Sequence, residues 1–283
     1  MIKTQLIIYW VSVGFYAIAA TLFIVGLNFK KDFQKQALII AIVGFIANSL
    51  ALGLRWYQTG HFPYYGMYEV YPSYAWGFVF FYLVAQFIKP SLRFLGAILL
   101  PLAFLMIGIG VMSSNVIKEI PRTFFTFWLG VHIAFAKLSY GSALIAAALS
   151  IIYLFKKKQK LSNNKNIEAN WLNKFPSMEK LDDLTYRFVS LAFFMLAIMI
   201  ISGAIWANKA WGRYWNWDPI ETWAFISWLV YGISLHLYRT FRWRGSKMAW
   251  ITLFALILVV FAFFGIPYIY DTAHEHIKVS MLL

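Results

Sequence analysis

Phe188-Val-Ser-Leu-Ala-Phe-Phe-Met-Leu-Ala-Ile-Met-Ile-Ile-Ser-Gly-Ala-Ile-Trp206 decides the fold. It holds no charged side chain, and about 17–25 such residues in a helix cross a bilayer. Runs of this kind recur in both directions, so that the full set lies at 6–28, 37–54, 73–88, 94–112, 124–155, 187–206, 221–238 and 249–270. The third is short, and the fifth exceeds one crossing, so it is expected to tilt or to project beyond the bilayer. In lipid these runs form helices, because every backbone polar group has to be paired within its own segment. Composition agrees: of 283 residues 61% are hydrophobic, 20% aromatic and 13% charged, with mean hydropathy +0.67. A soluble domain averages about 25% charged residues. The expected fold is an all-α polytopic membrane protein of about eight transmembrane helices, one domain over 1–283, with the lipid bilayer as solvent.

Eight crossings place both termini on the same side. One set of loops carries 17 of the 25 Lys and Arg, the opposite set carries 7, and Lys137 lies inside a span. The Lys-rich side is expected to be cytoplasmic, so both termini face outward. The net charge of +14 is thereby a topology signal, and no nucleic-acid partner is expected. The Lys- and Asn-rich stretch 156–186 reads as a cytoplasmic linker. The chain has no cysteine, which excludes a disulfide framework, a thiol oxidoreductase, an iron–sulfur centre and a C-x-x-C-H attachment site within it.

Past the opening stretch the sequence continues as Ala-Asn-Lys-Ala-Trp211-Gly-Arg-Tyr-Trp215-Asn-Trp217-Asp218-Pro219-Ile-Glu221. Six of the 13 tryptophans fall between 206 and 228, where an even spread would place about one. An interfacial aromatic belt accounts for scattered residues such as Trp10, Trp128 and Trp250. It does not call for Trp interleaved with Gly, Asn, Arg and Asp over 206–221. That outer loop reads instead as a flat aromatic platform for a large planar ligand, with Gly212 allowing close backbone approach. Asp218, Pro219 and Glu221 have the order of a capping box, so Asp218 reads as the cap of span seven rather than a catalytic acid.

There are five histidines: His61, His132, His236, His274 and His276. An ionisable residue within a span is costly and marks a functional candidate. By helix rise His132 lies near the outer end of span five, and His236 lies deep in span seven, near the cytoplasmic face. His132, His274 and the tryptophan loop therefore share the outer level, and His236 does not reach it. Two imidazoles beside an aromatic platform suit a planar macrocycle whose iron takes two nitrogen ligands, and that ligand is haem.

Trp211-Gly-Arg-Tyr-Trp215-Asn-Trp217-Asp218-Pro219 resembles the W-G-x-x-W-x-W-D signature of the haem-handling proteins of cytochrome c maturation. Arg55-Trp56, Gly60-His61-Phe62-Pro63, Tyr68-Glu69 and Glu221-Thr222-Trp223 are similar to the CcsA (ResC) group of the system II pathway, over residues 55–275. The resemblance implies haem b held at the outer side by His132 and His274, with Trp206, Trp211, Trp215, Trp217 and Asp218 around it. It implies a second, inner site in which His236 pairs with a histidine of a CcsB (ResB) partner. Two departures stand out: Gly66 replaces the group's usual Asn, and Thr272-Ala-His274-Glu-His276 replaces its Leu-His-Ser-Tyr, which leaves both His274 and His276 as outer-ligand candidates. The implied function is haem transport and presentation of haem to the C-x-x-C-H of apocytochrome c, as a subunit of a cytochrome c haem lyase. The implied location is a bacterial inner membrane or a thylakoid. Two other readings remain: a transporter or receptor for another flat aromatic solute, or an accessory protein regulating haem synthesis.

Overall fold

The computed structural model of the chain describes residues 1–28, 33–117, 119–161, 172 and 174–270, and all the regular elements among them are helical. Eight long helices follow one another: α1 (Ile2–Asn28), α2 (Gln34–Thr59), α3 (Met67–Ile88), α4 (Gly96–Val111), α5 (Phe127–Leu161), α6 (Met178–Trp211), α7 (Pro219–Thr240) and α8 (Ser246–Val260). A 3-10 stretch, Pro90–Leu95, leads into α4, and a π-helical turn, Phe261–Gly265, carries α8 into the short α9 (Ile266–Ile269).

Six of these helices are long and apolar enough to cross a membrane, rather than the expected eight. The two that fall short, α3 and α7, have 22 residues each, about 33 Å at 1.5 Å per residue, so length is not the reason. Their apolar character is diluted by Tyr68, Glu69, Tyr71, Ser73, Tyr74 and Gln86 in α3, and by Glu221, Thr222, Ser227, Ser234 and His236 in α7. Neighbouring helices bury most of α3, where Glu69, Tyr68 and Ser73 find protein partners instead of lipid.

The packing forms two quartets. In the first, α1 lies against α2 and α4, and α3 against α4, around Tyr9, Tyr16, Tyr82, Leu95, Leu100 and Ile107. In the second, α5 lies against α6 and α8, and α7 against both of these, around Ala143, Ala146, Ala192, Leu196, Tyr231 and Ala255. The run of Ser139, Gly141, Ser142, Ala143, Ala146, Ala147 and Ala148 gives α5 a small-residue surface, and the Ser139 hydroxyl donates to the Ala192 carbonyl at 3.2 Å. Contacts of α3 with α5 join the halves through Val70, Tyr74 and Phe78, packed against Tyr140, Leu144 and Phe263. The outward faces are as apolar as the inner ones: Ile7, Ile39, Phe194, Ile201, Trp250 and Ile257 are each at least 60% exposed. A helix hydrophobic all round is solvated by lipid, and the chain is an integral membrane protein.

Two boundaries differ from the sequence reading. The described residues of 156–186 are largely helical, because α5 runs to Leu161 and α6 starts at Met178 with Ser177 as its cap. Between them the Lys156 ammonium donates to the carbonyls of Phe175 (3.0 Å) and Pro176 (2.8 Å), and Phe175 packs edge-on to Phe94. At 35 and 34 residues, α5 and α6 exceed a hydrocarbon core of about 30 Å and project beyond it. The tryptophan loop is shorter than 206–221, because Trp206-Ala-Asn-Lys-Ala-Trp211 continues α6 until Gly212 closes it with φ 74. Only 212–218 connects α6 to α7.

Candidate functional site

One end of the bundle gathers the 60–66 turn, the segment 121–126, the start of α5, the end of α6, the 212–218 loop and the π turn after α8. They enclose a cavity lined by Tyr64, Tyr74, Phe124, His132, Tyr140, Met199, Gly203, Trp206, Trp211, Trp215, Glu221 and Phe263, among others. Its volume is about 130 Å³.

His132 stands on the first turns of α5 and reaches across to α6, where its Nδ1 lies 2.9 Å from the Met199 carbonyl oxygen. A carbonyl only accepts, so Nδ1 carries the proton and the lone pair resides on Nε2. This is the second-shell arrangement that fixes the tautomer of a metal-ligating imidazole. Gly203 makes the approach possible, since a Cβ there would lie 2.6 Å from Nδ1. The same short distance explains why α6 needs glycine in the middle of an apolar run.

The tryptophans divide into wall and rim. Trp206 is buried, donates its indole N–H to the Thr123 carbonyl at 2.9 Å, and packs edge-on to Trp211 and Phe124. Trp211, half exposed at the end of α6, and Trp215, which packs against Phe225, also line the cavity. Trp217 does not: it is 71% exposed in the left-handed region (φ 55) and touches Trp215 edge-on.

Asp218 acts as the cap that the sequence implies. Its carboxylate accepts from Ile220 N at 2.9 Å, while Glu221 Oε2 accepts from the backbone N–H of Asn216 (3.1 Å) and Asp218 (3.3 Å). These bonds hold the end of the loop against the start of α7, and Arg213 closes it by donating to Asn216 Oδ1 at 3.0 Å. Asp218 thus positions the platform without lining the cavity.

The first turn meets the platform through Phe124. Tyr64 donates its hydroxyl to the Phe124 carbonyl at 2.9 Å and lies parallel to the Phe124 ring. Burial, with Glu69 nearby, pushes the Tyr64 phenol up to about 12. Behind this turn Arg55 donates to Glu69 Oε1 (2.8 Å) and to the Asn115 carbonyl (3.1 Å), and Glu69 Oε2 accepts from Tyr65 N (3.0 Å). His61 is 6% exposed beside them, with Nδ1 2.9 Å from the Phe62 carbonyl and 3.8 Å from Glu69.

His236 is far from this end. It lies on an exposed face one turn before the end of α7, with Nδ1 3.3 Å from Thr240 Oγ1 and its ring edge-on to Phe241. Eighteen residues separate it from Asp218, about 27 Å along the helix. His274 and His276 lie outside the described residues.

Several contributors have no signal in the sequence. Met199 acts through its carbonyl, Gly203 through the absence of a side chain, and Phe263 through a π turn that sets it 4.8 Å from the Tyr74 ring. Short π segments are enriched at functional sites, but no residue pattern announces one.

Fold and site together define the class: an integral membrane protein built around an aromatic cavity with one imidazole in its wall. The family model for the cytochrome c assembly protein matches residues 64–274. The chain is similar to proteins described as cytochrome c biogenesis protein CcsA. That of Guillardia theta is 33% identical over 271 residues, 89% of each chain, and that of Trieres chinensis 31% identical over 95% of this chain and 91% of its own. A solved structure of the cytochrome c haem lyase CcmF superposes with a TM-score of 0.63 at 16% identity. It covers 92% of this chain and 46% of its own, so this chain spans about half its length and the likeness is one of fold. The chain belongs to the cytochrome c assembly protein family and is a CcsA-type cytochrome c biogenesis protein.

Proposed function

We propose that this protein carries haem to the outer face of its membrane and presents it there for covalent attachment to apocytochrome c. The observation that carries the reading is the His132 imidazole, its Nδ1 held by Met199 O, in the wall of a cavity that Tyr64, Tyr74, Phe124, Tyr140, Trp206, Trp211, Trp215 and Phe263 also line. Neutral imidazole is the protein ligand that haem iron takes most readily. The half-exposed Trp211 stands at the rim of this cavity. This suits a substrate held by one part and handed to a second protein.

In this reading His132 supplies one outer axial ligand and His274, or His276, the other. Trp206, Trp211 and Trp215 form the wall, and Trp217 extends it outside the cavity. Asp218 and Glu221 keep the loop in place, so that the protein contributes position rather than a nucleophile. Attachment adds each cysteine S–H of a C-x-x-C-H segment across a haem vinyl C=C, a balanced addition that needs no oxidant. His236 faces away from the bundle, where a CcsB-type partner can complete an inner haem site. All eight helices cross, α3 sheltered by its neighbours, and the Lys-rich loops lie on the cytoplasmic side of a bacterial inner membrane or a thylakoid.

Visible spectra of the chain purified with its partner, oxidised and dithionite-reduced, test the reading. The expected result is a six-coordinate b-type spectrum that weakens in His132→Ala and in one of His274→Ala or His276→Ala. A preparation that stays colourless after haem is supplied would return the site to a carrier of some other flat solute.

A further inference from the structure

Behind the haem-facing wall lies a second cavity, of about 600 Å³, between the 60–66 turn, α3, α5 and the segment 124–126. That volume is within the range of about 300–1,000 Å³ found for small-molecule sites. Its walls include Trp56, Phe62, Trp76, Phe80 and Phe125, with Lys137 at its floor. Tyr64, Phe124 and Ile133 line both cavities and separate them. On α5 the two sets occupy different stripes: Leu129, His132, Ala136 and Tyr140 face the first, and Gly130, Ala134, Lys137 and Leu138 the second.

Lys137 is 6% exposed, ten residues into α5 and so about 15 Å along the helix from its outer end. Among the described residues its ammonium has no hydrogen bond and no ion pair. Its neighbours are ring faces, Phe62 at 5.2 Å and Tyr74 at 5.8 Å from Nζ to centroid. Glu69, the acid in the first turn of α3, is occupied by Arg55 and by Tyr65 N. Gly77 on α3 leaves room for the lysine stem, since a Cβ there would lie 2.9 Å from Lys137 Cβ. The chain therefore accommodates a buried cation beside open volume, although a cation at that depth is costly unless it is paired.

We propose that this cavity is a second binding site, for a carboxylate carried on an apolar body, with the acid group on Lys137 and the body against Trp56, Trp76 and Phe80. A single ammonium matches a single negative charge. A terminal carboxylate reaches that depth without drawing a second polar substituent after it, as a phosphodiester would. Two sources supply this chemistry: long-chain acids of the bilayer, and the propionate edge of the haem substrate. The proposal does not rest on the haem reading, because the site stands on Lys137 and its own walls.

The probe is cis-parinaric acid, a fluorescent C18 acid, titrated into the full chain held in phosphatidylcholine nanodiscs. The wild type is expected to bind it saturably, and about tenfold or more tightly than its methyl ester, the ratio for losing one charge-assisted hydrogen bond. Lys137→Met should bring acid and ester to the same affinity and leave any His132-dependent haem spectrum unchanged. Gly77→Leu, which fills the cavity from α3, should weaken both. Acid and ester binding equally to the wild type overturns the proposal without recourse to any variant, as does undiminished acid preference in Lys137→Met. Displacement of the probe by haemin identifies the carboxylate as the substrate's, and long-chain acids recovered from the purified protein without such displacement identify it as the bilayer's.

Discussion

Gly203 on α6 and His132 on α5 lie so close that a single methyl group at 203 would come within 2.6 Å of the imidazole Nδ1. That nitrogen is the atom bonded to Met199 O. Gly203→Ala is therefore expected to turn the ring and break this bond while leaving the rest of the helix pair assembled, since alanine is the better helix former. Outer-shell partners of a ligating histidine are worth about 10- to 100-fold in affinity. Haem retained per protein on a size-exclusion column should fall accordingly, with the protein peak itself unmoved. Full haem content in this variant would separate the Met199 bond from ligation.

Asp218 offers a contrast between capping and ligand contact. As the cap of α7 it can be replaced by Asn with little loss, whereas Ala costs about 1 kcal/mol and releases the 212–218 loop. Haem content and thermal stability should follow the order wild type, Asp218→Asn, then Asp218→Ala. A loss as deep in the Asn variant as in the Ala variant would show that the negative charge, not the cap, matters.

The buried Arg55–Glu69 pair sets the first turn against the platform. Both side chains are at most 3% exposed, so Glu69→Gln leaves the guanidinium without its counter-charge. Breaking such a pair from one side costs about 3–5 kcal/mol. The melting temperature, followed by intrinsic tryptophan fluorescence, is expected to drop sharply. Adding Arg55→Met should recover much of the loss by removing the stranded charge, and an equally unstable double variant would refute that account.

Tyr64 gives the site an alkaline limit. Burial first, and the Glu69 carboxylate second, raise its phenol to about 12, above its ordinary value of 10.0. The folded state thus holds the proton more tightly than the unfolded one. The stabilisation is fully present below pH 10 and is lost as pH rises through about 12. Tyr64→Phe also loses the bond to Phe124 O, worth about 1 kcal/mol. It should be less stable than the wild type at neutral pH and show a smaller further decline between pH 10 and 12. Parallel curves for the two proteins would exclude Tyr64 as the titrating group.

What the sequence reveals follows from the range of each interaction. Apolar runs locate the helices because lipid acts on each segment separately, and the Trp211–Asp218 signature and the Asp218–Glu221 box are local. The true start of α3 at Met67 is hidden, because Glu69 and Tyr68 look polar until Arg55, brought in from α2, is paired with one and stacked on the other. Met199, Gly203 and Phe263 reach the cavity only through packing between distant segments, which no spacing encodes. The stretch Ala207–Trp211 reads as loop for its aromatics and amide, yet Ala and Lys favour helix and Gly212 supplies the stop.

His236 tests whether the far end of the molecule is a separate site. Helix rise fixes its depth, but only the packing reveals that it faces outward, on the side of α7 away from the core. Its sole hydrogen-bond neighbour among the described residues is Thr240 on the next turn, too weak a reason to keep an imidazole at that position. His236→Ala is therefore expected to leave the stability of the isolated chain within about 0.5 kcal/mol, as surface substitutions generally do. In the complex with a CcsB-type partner it should remove one of two spectrally distinct haems, while His132→Ala removes the other. If both variants deplete the same spectral component, the two histidines serve one site, and the separation along α7 would have to be bridged by a movement of the chain.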